Sequence, residues 1–353
     1  MMSNTSRTVL LGSLLKSVSR SFYLSLRILP VGMREPVGLA YLFARAADTV
    51  ADTSLIDPQK RLELLLLLRE QLNRNLNPQE LKRIEIEVAR KQQDSSEKAL
   101  LESIGPAFSL LSQFDQEDRD SIRVIVSAIS EGMEFDLKTF PDESSGRLTA
   151  LKQYSDLDRY TYMVAGCVGE FWTRMSFAHV PVNYRADSET MTDRGIRLGK
   201  ALQMTNVLRD CAKDLRIGRC YLPAEKLAEK AISASDLLNP DASLVARPIL
   251  FELVGKTLEH FREGLEYVLA IPRSAVRLRL ASLWPILIGL ETLLVLVQND
   301  RWLDPEKPSK IRRSDVYWIL ATSLVMVIFD GRTRHRVQGL IDKVEVRIHP
   351  NLR

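Results

Sequence analysis

Apolar residues recur along most of this chain at intervals of three and four, the period that gathers side chains on one face of an α-helix. The pattern predicts helices over residues 62–76, 80–90, 122–135, 196–215 and 248–269, and over two strongly apolar runs at 280–297 and 316–329. No useful length of alternating apolar and polar residues marks a strand. The fold class expected is therefore all-α. Turn chemistry falls at Asp57-Pro58, Asn77-Pro78, Phe140-Pro141-Asp142, Asn239-Pro240 and across 304–309, where proline and side-chain acceptors break helices. None of these is long enough for a domain linker, and no repeat is visible, so a single domain over 1–353, with its core at about 14–335, is expected.

The two apolar runs raise the question of membrane insertion. The first carries Pro285 and Glu291, and the second has fourteen residues, whereas a spanning helix needs about 20 predominantly apolar ones. Both read as buried core helices. The N-terminal stretch MMSNTSRTVLLGSLLKSVSRSF has an apolar patch but no long hydrophobic region ending in a small-residue cleavage site, so no secretory signal is expected. A cytoplasmic location follows as the expectation.

Composition adds exclusions. With 49 basic and 45 acidic side chains the net charge is only +4, which is no electrostatic footprint of a nucleic-acid binder. Cys167, Cys211 and Cys220 are too few and too irregularly spaced for a disulfide framework or a zinc site. His179, His260, His335 and His349 are scattered and read as structural or surface residues.

The chemistry lies in two short stretches. In ALQMTNVLRDCAKDLRIGRCYLP, Asn206, Asp210 and Asp214 recur every fourth residue, and in AYLFARAADTVADT the pair Asp48 and Asp52 has the same spacing, with Arg45 one turn before Asp48. One such pair arises often by chance; two pairs, each emerging from a strongly apolar helix, are expected to be buried carboxylates, which are costly unless paired or bound to a metal. An oxygen-only donor set without histidine suits Mg²⁺, which keeps several waters and bridges a few carboxylates to phosphates. Two such clusters facing each other across a helical cavity would hold Mg²⁺ and, through it, a diphosphate. Arg20, Arg45, Arg209 and Arg219 lie in or near these stretches and supply bidentate donors for the remaining phosphate charge.

Four segments in order, SRSF at 19–22, YLFARAADTVAD at 41–52, YTYMVAGCVG at 160–169 and QMTNVLRDCAKD at 203–214, together resemble the squalene and phytoene synthase family of head-to-head prenyl transferases. A fifth segment, PSKIRRSDVYWIL at 308–320, resembles the basic element that the squalene-forming branch carries near its reducing cofactor. The resemblance implies one all-α bundle with a central cavity, of bacterial type, since the chain after Phe329 is short and charged and offers no membrane anchor. It implies that Asp48, Asp52, Asp210 and Asp214, with Asn206 beside them, hold Mg²⁺ and farnesyl diphosphate. Tyr160 matches the tyrosine assisting the first half-reaction; Ser19, Arg20, Phe22, Tyr41, Arg45, Gln203 and Arg209 match substrate positions; Lys310, Arg312 and Arg313 would contact NADPH or the departing diphosphate. Where the eukaryotic motifs carry a further acidic residue, this chain has Ala51 and Lys213, leaving fewer carboxylates around the ions.

The implied reaction joins two farnesyl diphosphates through presqualene diphosphate and reduces the product to squalene with NADPH. Residues Leu283, Trp284, Ile286, Leu287 and Leu290 would then wall off the carbocation from water. No GxGxxG follows a predicted strand, so NADPH would bind without a Rossmann domain. Three other readings stand beside this one: a relative that stops at presqualene diphosphate, dehydrosqualene or phytoene; a non-catalytic scaffold; and an integral membrane protein. Because the product is membrane-soluble, peripheral contact with the bilayer is expected, and no nucleic acid is.

Overall fold

In the computed structural model, residues 7–19, 22–73, 76–140 and 142–349 are described. Helices dominate throughout, and the strands among the described residues are the two-residue segments Thr149–Ala150 and Arg219–Cys220, which pair in parallel. The chain divides into two compact units, Met1–Lys138 with Arg174–Pro181, and Thr139–Thr173 with Val182–Arg353.

The first unit is built on the helix Val31–Asp52, which buries residues around most of its circumference, from Met33 through Leu42 and Phe43 to Val50. Phe43 meets Phe108 with ring centroids 4.9 Å apart, and the helix Pro58–Asn73 packs alongside through Leu64, Leu65 and Leu68. Capping sets the helix starts. Asp57 accepts the Gln59 N–H at 2.9 Å and Asn77 accepts that of Gln79 at 3.0 Å, so the helices begin at the prolines, earlier than apolar periodicity alone places them. A part-buried hydrogen bond ties the unit together: His179 Nε2 lies 2.7 Å from Asp118 Oδ1.

The second unit is organised by the long helix Ser188–Arg216, which packs against Ser243–Ala270, Val276–Gln298 and the turn of π-helix Tyr162–Gly166. Its crossing with the 162–173 segment is unusually close. A Cβ on Gly169 would sit 1.8 Å from the Gly195 carbonyl oxygen, and one on Gly199 would sit 2.1 Å from that of Ala165, so only glycine lets these backbones approach. The Ser188–Arg216 helix ends where Gly218 takes φ +84°, a left-handed conformation that glycine adopts without penalty. This turn sends the chain directly into the Arg219–Cys220 strand.

The two apolar runs have different fates. The first becomes Val276–Gln298, long and apolar enough to cross a membrane by length and composition, yet 72% of its most apolar window is buried inside the protein. It is a core helix. The second becomes Arg313–Met326, and here the expectation of a buried core helix fails: within it Ile319 and Ser323 are buried, while Tyr317, Trp318, Leu324 and Val325 are exposed. The run is apolar on every side, and its unit covers only one of them. The three cysteines are buried, and among the described residues none forms a disulfide.

Candidate active site

On the Val31–Asp52 helix, one stripe escapes burial. At 100° per residue, Arg34, Tyr41, Arg45, Asp48 and Asp52 fall on the same side, and none of them is buried. The aspartates are accordingly not buried carboxylates, contrary to the sequence expectation: the Asp48 side chain keeps 36% of its surface and Asp52 is exposed. Arg45 bridges Asp48 and Glu97. Burial pushes its guanidinium down, but the two carboxylates outweigh that and hold it above its ordinary value. Glu97 stands 52 positions from Arg45 and carries no signal in the sequence.

Around this stripe the amino-terminal segment is packed. Tyr41 donates its hydroxyl to the Val18 carbonyl at 3.3 Å, and Phe22 stacks on its ring at 5.5 Å. Ser19 is buried and donates to the Leu15 carbonyl at 2.5 Å, so that hydroxyl is engaged within its own helix. Arg20 lies outside the described residues. A surface cavity of about 460 Å³ in this unit is lined by residues including Leu76, Leu81, Leu101 and Ile104 and contains none of the aspartates.

The second aspartate pair shows the same logic. Buried residues run round most of Ser188–Arg216, with Leu198, Ala201, Met204, Leu208, Cys211 and Leu215 along one side and Val207 beside the stripe of Gln203, Asn206, Asp210 and Asp214. Asp210 and Asp214 are therefore half-buried, not buried, because the four-residue repeat runs beside the apolar stripe instead of within it. Arg209 holds Asp210 in a bidentate pair, Nε to Oδ1 at 2.9 Å and Nη2 to Oδ2. The hydrogen bonds to Asp210 raise its guanidinium above the ordinary value, and the charge of Asp214 adds to the effect. Asn206 Nδ2 donates to Gln203 Oε1 at 3.4 Å.

Tyr160 is buried at the end of the helix Tyr154–Thr161. Its ring stacks on Tyr221 at 4.8 Å, and the two hydroxyls are 3.3 Å apart; Phe140 meets Tyr221 edge-on at 5.0 Å. Tyr162 points elsewhere, as its position two residues on requires, and donates to Glu170 at 3.2 Å. Tyr221 is not visible as a site residue in the sequence. It reaches Tyr160 because Gly218 reverses the chain and the parallel strand pair carries the following residues past the helix Tyr154–Thr161. Arg219, beside it, is 3.4 Å from Glu143.

Lys310, Arg312 and Arg313 are exposed and lie at the start of the Arg313–Met326 helix. Local bonds shape this segment: Asn299 Nδ2 donates to the Lys307 carbonyl at 2.8 Å and to Ser309 Oγ at 2.9 Å, and the Arg312 N–H donates to Asp315 at 3.3 Å. Leu283, Trp284, Ile286, Leu287 and Leu290 are all buried. They close the core of the second unit, and between Leu278 and Val297 the residues left partly accessible are Pro285, Ile288, Glu291, Leu294 and Val295. Among the described residues no three His, Cys, Asp or Glu side chains converge on one point. Each carboxylate pair nevertheless suits an Mg²⁺ ion that takes only one or two protein oxygens and completes its shell with water and phosphate.

Comparison with known proteins places these features in a family. The squalene/phytoene synthase family model matches residues 15–315. The chain is 28% identical to a presqualene diphosphate synthase of Zymomonas mobilis over 316 residues, covering 86% of this chain and 88% of that one. It is 26% identical to the squalene synthase of Eremothecium gossypii over 314 residues, covering 88% of this chain and 66% of that one. Among solved structures, TcSQS bound to the ligand E5700 superposes with a TM-score of 0.74 at 19% identity, covering 99% of each chain. A dehydrosqualene synthase in complex with a ligand gives 0.62 at 22% identity, over 90% of this chain and 95% of that one. At these identities the structural likeness speaks for the fold.

Proposed function

Because the chain belongs to the squalene/phytoene synthase family, we propose that it is a squalene synthase, joining two farnesyl diphosphates head to head through presqualene diphosphate and reducing the product with NADPH. The observation that carries this reading is the repeated arrangement of Asp48–Asp52 and Asp210–Asp214: two carboxylate pairs, each turned away from its own apolar core and each tied to an arginine. A structural carboxylate gains nothing from a second copy of that pattern, whereas binding of Mg²⁺ and diphosphate gives each pair a use.

Asp48, Asp52, Asp210 and Asp214 would hold Mg²⁺, with Asn206 contributing an amide oxygen. The metal would neutralise the charge that develops on a departing diphosphate. The chain's own part is to present these oxygens and to keep Arg45 and Arg209 charged beside them. With phosphate present, the guanidiniums exchange carboxylate partners for phosphate oxygens, which match their bidentate geometry equally well. Tyr160, buried against Tyr221, would take or return a proton near an apolar intermediate. Lys310, Arg312 and Arg313, which are exposed, would suit the phosphates of NADPH.

A second reading, presqualene diphosphate synthase without reduction, is favoured by the Zymomonas relative, whose match extends over most of both chains. Incubation with farnesyl diphosphate and Mg²⁺, in parallel with and without NADPH, separates the two. Squalene formed only with NADPH supports the first reading; presqualene diphosphate in both reactions supports the second; absence of any product rejects both.

A further inference from the structure

The second apolar run is where the molecule departs most from an ordinary core. Tyr317 is 67% exposed, Trp318 66%, Leu324 54%, Val325 61% and Phe329 45%. At the helical period Tyr317, Trp318, Ala321, Leu324 and Val325 share one face of Arg313–Met326, and Ile328 and Phe329 are exposed in the segment that follows it. The opposite face is anchored: Ile319 is buried, and Ser323 accepts the Trp284 indole N–H at 2.8 Å. Helices that are apolar all round belong in a protein interior or a membrane, and contiguous exposed apolar patches mark interaction surfaces.

The rim of this face is basic. Between Lys307 and Arg334 the chain carries Lys307, Lys310, Arg312, Arg313, Arg332 and Arg334 against Asp315 and Asp330, and of these Arg334 is paired with Glu266. Asp330 is already held by Arg185, Arg273 and Arg279. Arg332 sits over the Phe329 ring at 4.8 Å, which puts a cation at the edge of the apolar face. We propose that this face is a docking surface for an anionic lipid bilayer, with Trp318 and Tyr317 at headgroup depth, Leu324, Val325 and Phe329 below them, and the basic rim on the phosphates. Aromatic residues favour the membrane–water boundary, and basic side chains beside an apolar helical face are attracted to anionic lipid. A second copy of this chain is the poorer occupant, because a two-fold contact would bring one basic rim against another. The inference stands on these surface residues and holds whichever prenyl product the enzyme releases.

Flotation of the full chain with vesicles of phosphatidylcholine alone, and of phosphatidylcholine with phosphatidylglycerol, tests it. The expected result is binding to the anionic vesicles only, weakened by salt. It should fall by roughly tenfold or more in Trp318→Ser/Val325→Ser, with circular dichroism and thermal unfolding unchanged because both side chains are exposed. Arg332→Gln should give a smaller loss. Brominated lipid should quench tryptophan emission in the wild type and not in Trp318→Phe, which still floats. No flotation of the wild type, undiminished flotation of the double variant, or quenching that survives Trp318→Phe would overturn the proposal. So would a concentration-dependent dimer that the double variant abolishes without any vesicle binding, which would assign the face to a second copy.

Discussion

Tyr160 and Tyr221 lie face to face, with ring centroids 4.8 Å apart and hydroxyl oxygens 3.3 Å apart. Neither ring can shift without the other, and each hydroxyl is the other's neighbour in a buried setting. If Tyr160 moves a proton during turnover, Tyr160→Phe should lower kcat by about 10²-fold or more, the scale of a lost acid–base group. Tyr221→Phe keeps the stack and removes one hydroxyl, so its loss should be smaller. Steady-state diphosphate release, with circular dichroism as the folding control, measures both; equal and small losses would leave the pair a packing feature.

Asp48→Asn and Asp210→Asn each remove one charged oxygen donor from a half-exposed helix face. Turnover should fall by roughly 10²-fold or more, comparable to losing one electrostatic stabiliser of the transition state. Stability should barely change, since exposed ion pairs contribute little. Chelation of divalent metal should silence the wild type and be reversed by Mg²⁺. A variant with near wild-type turnover would remove that aspartate from the reaction.

Gly169→Ala sets a new methyl against the Gly195 carbonyl, whose oxygen would lie only 1.8 Å from it. The helices must separate, at a cost of about 3 kcal/mol. Gly339→Ala is the contrasting case. Nothing lies within 4 Å of its Cβ position in the Asp330–Ile348 helix, so it should stabilise by about 0.5–1 kcal/mol through the alanine helix preference. Chemical denaturation of the two variants reads the opposite signs.

Asp330 accepts from Arg279 at 2.7 Å, Arg185 at 2.7 Å and Arg273 at 3.0 Å. Burial would raise its carboxyl, but the three guanidiniums hold it well below the ordinary carboxylate range. A depressed folded pKa stabilises fully above the unfolded value near 4 and is lost as pH falls through the folded one. Arg279 is itself fully buried, so Asp330→Asn strands its charge and should cost about 3 kcal/mol at neutral pH. Thermal unfolding between neutral and acid pH should show the gap between wild type and variant narrowing only on the acid side. A gap independent of pH would argue that the loss is steric.

Apolar periodicity was enough to read the all-α class and the positions of the main helices, because burying one face of a helix leaves a local, repeating mark on the chain. Motif spacing likewise put each aspartate pair on one helical side. What periodicity could not tell was how deeply that side is covered: Asp210 and Asp214 run beside the buried stripe of Met204, Leu208 and Cys211 and stay half-buried. Assigning a face requires knowing what packs against it.

The same limit explains the two apolar runs. By composition both look like core, and one is, because the Val276–Gln298 helix has neighbours on most sides. The Arg313–Met326 helix is covered along Ile319 and Ser323 and left open along Trp318 and Val325. Hydrophobicity is a property of the residues and was settled by the sequence. Burial depends on which helices arrive from elsewhere in the chain, as does the meeting of Arg45 with Glu97 or of Tyr160 with Tyr221, and those long-range contacts were decided only by the tertiary structure.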